Sequence, residues 1–175
     1  MQFGLSIYGA WWFSLIYLIF AYGLWFIFPK FVQIRFTKTP YINYISEIYK
    51  YSYILLLLLT IFIPFQINTY FFIGLGIYLL GLFIYISAIF YFSINEIDLP
   101  VTKGIYKYLR HPVYFGFIIM YLGITLISSN ILLLILSLVI AYCSYQIALL
   151  EEELCSDTYG KDYINYKKTS GFFKA

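Results

Sequence analysis

The chain of 175 residues is 63% hydrophobic and only 11% charged, and its net charge is +3 at pH 7. Soluble domains carry about 25% charged residues, so a soluble fold of this length could not bury so many apolar side chains. The few basic residues form no stripe of the kind that binds nucleic acid. The composition therefore predicts an all-α integral membrane protein.

Five apolar stretches follow one another along the chain. They cover residues 3–28, 51–67, 70–92, 113–128 and 131–150. A helix needs about 20 residues to cross the hydrocarbon core, so the first, third and fifth stretches are long enough and the second and fourth are short. We expect a bundle of about five transmembrane helices. The short uncharged connections predict antiparallel hairpins of helices two and three and of helices four and five.

The basic residues are confined to three segments of the chain. They lie between the first two helices (Lys30, Arg35, Lys38, Lys50), between the third and fourth (Lys103, Lys107, Arg110) and in the tail (Lys161, Lys167, Lys168, Lys174). With five spans, these segments share one side of the membrane, and the positive-inside rule makes that side cytoplasmic. The N-terminus is then outside, and the C-terminal helix is cytoplasmic.

The loop before the fourth helix contains the segment YKYLRHPVYFG, with the only histidine of the chain, His111. Pro112 suits the first turn of a helix, where its missing N–H costs nothing. His111 and Arg110 then lie just outside a helix start, where free backbone N–H groups favour an anion. The alternatives are that Arg110 and Lys107 anchor the chain at the lipid interface and that the tyrosines belong to an aromatic belt.

The fifth helix is expected to extend beyond its apolar part. Glu151, Glu152 and Glu153 follow it without a turn residue, so the helix should continue to about Tyr159, before Gly160. A carboxylate close to the low-dielectric region is costly unless it meets a cation. The alternative is a solvated acidic collar at the end of the span.

Two segments carry a resemblance to a known family. GIYKYLRHPVYFG resembles the G-x-Y-x-x-x-R-H-P-x-Y-x-G motif of the isoprenylcysteine carboxyl methyltransferase family. EEELCSDTYGKDYINYKK is similar to the paired glutamates and G-x-x-Y-x-x-Y segment of that family. Phospholipid N-methyltransferases share this C-terminal pattern. The likeness implies an integral-membrane methyltransferase that uses S-adenosylmethionine, with residues 70–175 as its core and residues 1–69 as two additional helices with a basic loop.

The resemblance also implies site residues. The matching cofactor-binding positions are Val101, Tyr106, His111, Pro112, Val113, Tyr114 and Glu151. Glu151 suits the ammonium or the ribose hydroxyls of the cofactor. The carboxylate of the cofactor suits the start of helix four, with His111 or Arg110. His111 and Arg110 are the candidate catalytic residues, because His111 alone has an ordinary pKa suited to deprotonating an amine acceptor. No metal site is expected.

The acceptor is expected to be lipophilic and to arrive from the bilayer, and the resemblance implies a prenylcysteine-like carboxylate. The family's basic residue about one turn before the glutamates is missing from SYQIALL, which leaves Gln146, Tyr145 and Arg110 as candidates for binding the acceptor. A phospholipid N-methyltransferase, a sterol-type reductase using NADPH and a non-catalytic membrane protein are the alternatives. The Gly74-Leu75-Gly76 segment would suit either close approach to the cofactor or helix packing.

Overall fold

The protein is an all-α membrane bundle, as its composition predicts. The computed structural model describes residues 8–27, 43–96 and 99–171. Its elements are α1 (Trp11–Ile27), α2 (Asn43–Phe62), α3 (Thr69–Ile94), a 3-10 helix (Gly104–Lys107), α4 (Pro112–Ser128), α5 (Ile131–Tyr159) and α6 (Lys161–Thr169). Strand pairing in the described ranges is limited to two isolated bridges.

Within the described residues, three helices are long and apolar enough to cross a membrane. They are α3, α5 and the Tyr44–Phe62 part of α2, while α1 and α4 are shorter apolar helices. The expectation that the second helix is short was therefore wrong. The second helix begins at Asn43 rather than at residue 51, because the polar residues before the apolar stretch also become helical. The first begins at Trp11, and its expected ends at residues 3 and 28 lie outside the described residues.

Glycines bring α3 and α4 into close contact. Gly74 on α3 faces Gly123 on α4, and Gly81 faces Gly116. A Cβ atom on Gly74 would lie 2.7 Å from the carbonyl oxygen of Gly123, so a side chain there would force the helices apart. Because lipid is as apolar as the helix surface, close backbone packing of this kind drives association in membranes. The packing interpretation of Gly74 is thus the one that the structure supports.

Of the two predicted helical hairpins, one is observed and the other is not. Helices α4 and α5 do form one: Ser129 takes a left-handed conformation (φ 47°), and the Asn130 side chain accepts hydrogen bonds from the first backbone N–H groups of α5. The expected pairing of α2 with α3 was wrong. In the described chain α2 packs along α5, and α3 packs along α4. Bridge pairing of Gly9 with Pro64 holds the start of α1 to the end of α2.

One end of the bundle collects the polar loop and α6. The loop joins the C-terminal end of α3 to the N-terminal end of α4, and α6 follows α5. As predicted, α5 continues to Tyr159 and ends at Gly160, whose positive φ of 54° favours glycine. Four of the basic residues used for the orientation lie outside the described residues: Lys30, Arg35, Lys38 and Lys174.

Candidate active site

The loop before α4 is shaped by its glycine and its proline. Gly104 begins the 3-10 helix with a φ of +60°, and a Cβ there would collide with the ring of Tyr91. Pro112 is the first residue of α4, as expected from its fixed φ and missing N–H. His111 is the N-cap residue, but its side chain does not cap the helix. Its imidazole is therefore available to face the end of α5.

The three consecutive glutamates of α5 point in three directions. Successive residues of an α-helix are about 100° apart, so they cannot share one face. Glu152 is 6% exposed and points into the protein, Glu151 is partly exposed, and Glu153 faces solvent. The acidic-collar interpretation fits only the last of them.

Glu152 is the centre of a buried charge cluster. Its Oε1 accepts a hydrogen bond from Arg110 Nε at 2.5 Å and lies 3.3 Å from His111 Nε2. Its Oε2 lies 2.8 Å from Lys167 Nζ. The Arg110 side chain is 11% exposed, so this is a desolvated ion pair and not a surface contact. One carboxylate thus connects α5, the loop and α6.

Glu151 occupies a more open position beside it. Tyr114 donates its phenolic hydrogen to Glu151 Oε1 at 2.7 Å, and His111 Nδ1 lies 3.5 Å from Glu151 Oε2. A quarter of the Glu151 side chain is exposed, against 8% for Glu152. Glu151 therefore combines a negative charge with access for a ligand.

The two glutamates favour the protonated form of His111. Burial alone would lower the pKa of the imidazole, but hydrogen bonds to Glu151 and Glu152 outweigh it, and the pKa lies above the ordinary 6.5. Because the two ring nitrogens face different carboxylates, the ring is held by both. His111 is thus an imidazolium over a wider pH range than an exposed histidine.

The tail fastens the loop from the other side. Arg110 N donates to Gly171 O at 2.9 Å, and Gly171 N donates to Tyr108 O at 3.1 Å. Arg110 Nη1 also donates to the carbonyl oxygens of Lys167 and Ser170. The loop conformation thus depends on residues in the last turn of α6 and directly after it.

The apolar members of the predicted site form a separate small cluster. Val101 and Tyr106 are buried against Ala88 of α3, and the partly buried Val113 packs on them. The hydroxyl of Tyr166 on α6 donates to the carbonyl oxygen of Tyr106 at 2.5 Å. The predicted residues therefore fall into an apolar group and a polar group, with His111, Tyr114 and Glu151 in the latter.

A sequence model described as phospholipid methyltransferase matches residues 68–162. The chain belongs to this family. The matched segment begins at the N-cap of α3 and ends in the first turn of α6, so it contains the loop, α4 and all of α5.

A relative among characterised proteins points to the same chemistry. Over 75 residues the chain is 39% identical to a protein-S-isoprenylcysteine O-methyltransferase of Schizosaccharomyces pombe, covering 42% of this chain and 32% of the relative. The chain therefore spans about a third of the curated relative that it matches. No solved structure matches the chain. The descriptions of both the family and the relative name a methyltransferase.

The residues that sequence reasoning proposed for the acceptor lie in different surroundings. Gln146 donates its side-chain amide to the Tyr142 hydroxyl at 3.0 Å on an exposed part of α5, and Tyr145 is 43% exposed. Arg110 is held in the buried cluster with Glu152.

Sequence reasoning overlooked Glu152 and Lys167 as members of the site. Both fall within the segments that resembled the family, but adjacency to Glu151 gave no reason to separate their roles. The available signal was the helical angle between neighbouring glutamates, since only one of them can face the protein interior. Among the residues that the structure describes, no three His, Cys, Asp or Glu side chains are grouped so that they could hold a metal ion.

Proposed function

We propose that this protein is an S-adenosylmethionine-dependent methyltransferase that esterifies the carboxylate of a lipophilic, prenylcysteine-like acceptor. The observation that carries the proposal is the partly exposed Glu151 carboxylate, held by Tyr114 and His111 at the polar end of a membrane bundle. Membership of a methyltransferase family supports methyl transfer over the nicotinamide-dependent reduction considered as an alternative.

The chemistry of the site suits the proposed cofactor. When bound, S-adenosylmethionine would supply an electrophilic methyl group on a sulfonium. Glu151 would bind its ammonium or ribose hydroxyls, because its carboxylate is charged and accessible. The apolar group of Val101, Tyr106 and Val113 offers a surface for the adenine ring. The free backbone N–H groups in the first turn of α4, after Pro112, favour the cofactor's carboxylate.

The two candidate catalytic residues receive different roles. Arg110 positions the loop through Glu152 and the tail carbonyls, so we assign it an indirect role. His111 orients Glu151 through Nδ1. A carboxylate acceptor needs no base, so the ester reaction requires only alignment and exclusion of water, and alignment can contribute on the order of 7 kcal/mol. An amine acceptor would need His111 to lose its proton first.

Phospholipid N-methylation is the second candidate, because the family description names phospholipids. It predicts a different pH profile. Ester formation should change little above about pH 6, where a carboxylate is ionised, whereas an amine acceptor should react faster as its proton is lost.

The experiment that tests the proposal uses the purified protein in detergent. Titration with S-adenosylmethionine and with NADPH should show binding of the former only. Membranes that contain the protein, given cofactor labelled in its methyl group, should yield label in the lipid-soluble fraction that mild base releases as methanol. Base-stable label with a rate that rises with pH would move the function to N-methylation, and absence of cofactor binding would refute both candidates.

The proposal includes an orientation for the chain. The described basic residues of the loop and of α6 lie at the polar end of the bundle, which supports a cytoplasmic site and C-terminus and an external N-terminus. Reporters fused to the two ends should label from opposite sides of the membrane. Labelling of both from one side would contradict the orientation.

A further inference from the structure

The loop between α3 and α4 replaces one of its own helical hydrogen bonds with two bonds to the tail. In a regular α-helix the N–H of residue 110 would donate to the carbonyl oxygen of residue 106. Here Arg110 N donates to Gly171 O at 2.9 Å instead. The carbonyl oxygen of Tyr106 accepts from the hydroxyl of Tyr166 at 2.5 Å. Both ends of the missing helical bond are thus occupied by α6 and the segment directly after it.

The change of partner determines where the loop leaves its helical path. Leu109 N still donates to Ile105 O at 3.1 Å, so the turn continues as far as Leu109. Arg110 and His111 come next, and the backbone of His111 is no longer helical, with a φ of -122° and a ψ of 55°. From this position their side chains reach Glu152. The bonds to the tail therefore lie at the point that sends both side chains toward α5.

Tyr166 is held rigidly enough to act as a fixed donor. It is buried and packs edge-to-face on Tyr163, with 5.8 Å between the ring centroids. Its own carbonyl oxygen accepts from the hydroxyls of Thr169 and Ser170, which close the last turn of α6. Burial raises the pKa of Tyr166 to about 12, so the hydroxyl keeps its proton at neutral pH. The Tyr106 carbonyl therefore meets a donor whose ring, backbone and proton are all fixed.

We propose that Tyr166 is a positioning residue for methyl transfer, whose hydroxyl holds the loop in the conformation that presents Tyr106 and His111 to the cofactor. This inference rests on the proposed function. Tyr106 is 6% exposed, so its carbonyl oxygen cannot exchange a lost hydroxyl for water without moving. The replacement available along the chain is the N–H of Arg110, and taking it would draw Arg110 away from Glu152. Tyr166 thus acts through the loop and needs no contact with substrate or cofactor.

The test compares two variants of the full-length protein in detergent. Tyr166→Phe keeps the ring and removes only the hydroxyl, so the Kd and the KM of S-adenosylmethionine should rise about tenfold with the loss of one buried hydrogen bond. The KM of the acceptor probe, N-acetyl-S-farnesylcysteine, should not change. Tyr163→Phe is the matched control, because it makes the same chemical change at a buried side chain three residues earlier on α6 and leaves the bond to Tyr106 in place. Its Kd for S-adenosylmethionine should equal that of the wild-type protein.

A purely structural role would give a different pattern. It would lower the Tm and the amount of active protein, and therefore kcat, while the protein that stayed folded kept its Kd and KM. Hydrogen exchange reports on the loop directly, and residues 104–111 should exchange faster in Tyr166→Phe while α3 exchanges as in the wild-type protein. An unchanged Kd in Tyr166→Phe, an equal rise of the Kd in Tyr163→Phe or unchanged exchange of the loop would overturn the positioning role. Failure of the wild-type protein to bind S-adenosylmethionine would instead refute the proposed function on which the inference rests.

Discussion

Replacing Glu152 with Gln removes a negative charge from the point where three cationic side chains converge. The carboxylate and the Arg110 guanidinium are 8% and 11% exposed, so little solvent replaces the lost charge. Removing one partner of a buried ion pair costs about 3–5 kcal/mol. The Gln oxygen can still accept one hydrogen bond, and Lys167 is 38% exposed and easily rehydrated, so the lower end of the range applies. We expect Glu152→Gln to lose about 3 kcal/mol of unfolding free energy.

Unfolding of the detergent-solubilised protein by heat or denaturant measures this loss. Glu153→Gln is the matched control, because it makes the same chemical change one residue later on the solvent-exposed face of α5. Limited proteolysis gives a second reading, since the tail should be cleaved sooner once Lys167 and Arg110 lose their shared partner. Equal and small effects of the two substitutions would refute the view that Glu152 holds the loop and the tail together.

Three further predictions concern other parts of the molecule. The raised pKa of His111 contributes stability that is fully present below about pH 6.5 and is lost as the pH rises through the folded-state pKa. His111→Asn should therefore flatten the fall of Tm between pH 6 and 9. Parallel Tm profiles of the variant and the wild-type protein would contradict this prediction. Gly81→Ala should lower the free energy of unfolding by about 1–3 kcal/mol, because its Cβ would lie 2.8 Å from the Gly116 carbonyl oxygen. Gly76 has open space around it, so Gly76→Ala should be neutral or stabilising in the same unfolding assay. Glu151→Gln should weaken S-adenosylmethionine binding by roughly 1.5–3 kcal/mol in a titration, and similar losses in the exposed Asp157→Asn control would favour the acidic-collar interpretation.

The helix boundaries around the site were predictable because local chemistry determines them. Pro112 cannot continue a preceding helix but fits the first turn of a new one, and α4 begins there. Gly160 takes the positive φ at which α5 ends. These signals depend on the conformational limits of single residues, so the sequence alone contains them.

The partners of each helix could not be predicted in the same way. Lipid and helix surfaces are equally apolar, so hydrophobicity does not tell α2 which neighbour to choose. The deciding feature of the α3–α4 contact is geometric: Gly74 and Gly81 are seven residues apart on one helix, and Gly116 and Gly123 are seven apart on the other. The two glycines of one helix, taken alone, resemble ordinary small-residue packing. Their match in spacing becomes informative only once the two helices are known to be adjacent.

The acidic run at the end of α5 gives the clearest account of how this sequence produces a site. Three like charges in succession would repel one another if they shared an environment, but the helix turns them apart by about 100° each. Glu152 is directed inward, where Arg110 and Lys167 neutralise it and where it fixes the loop. Because those cations are occupied by Glu152, the charge of the neighbouring Glu151 is balanced mainly by His111 and remains accessible. A single glutamate could not both hold the loop in a dry interior and offer a charge to a ligand, so the pair of glutamates is required by the geometry of the helix.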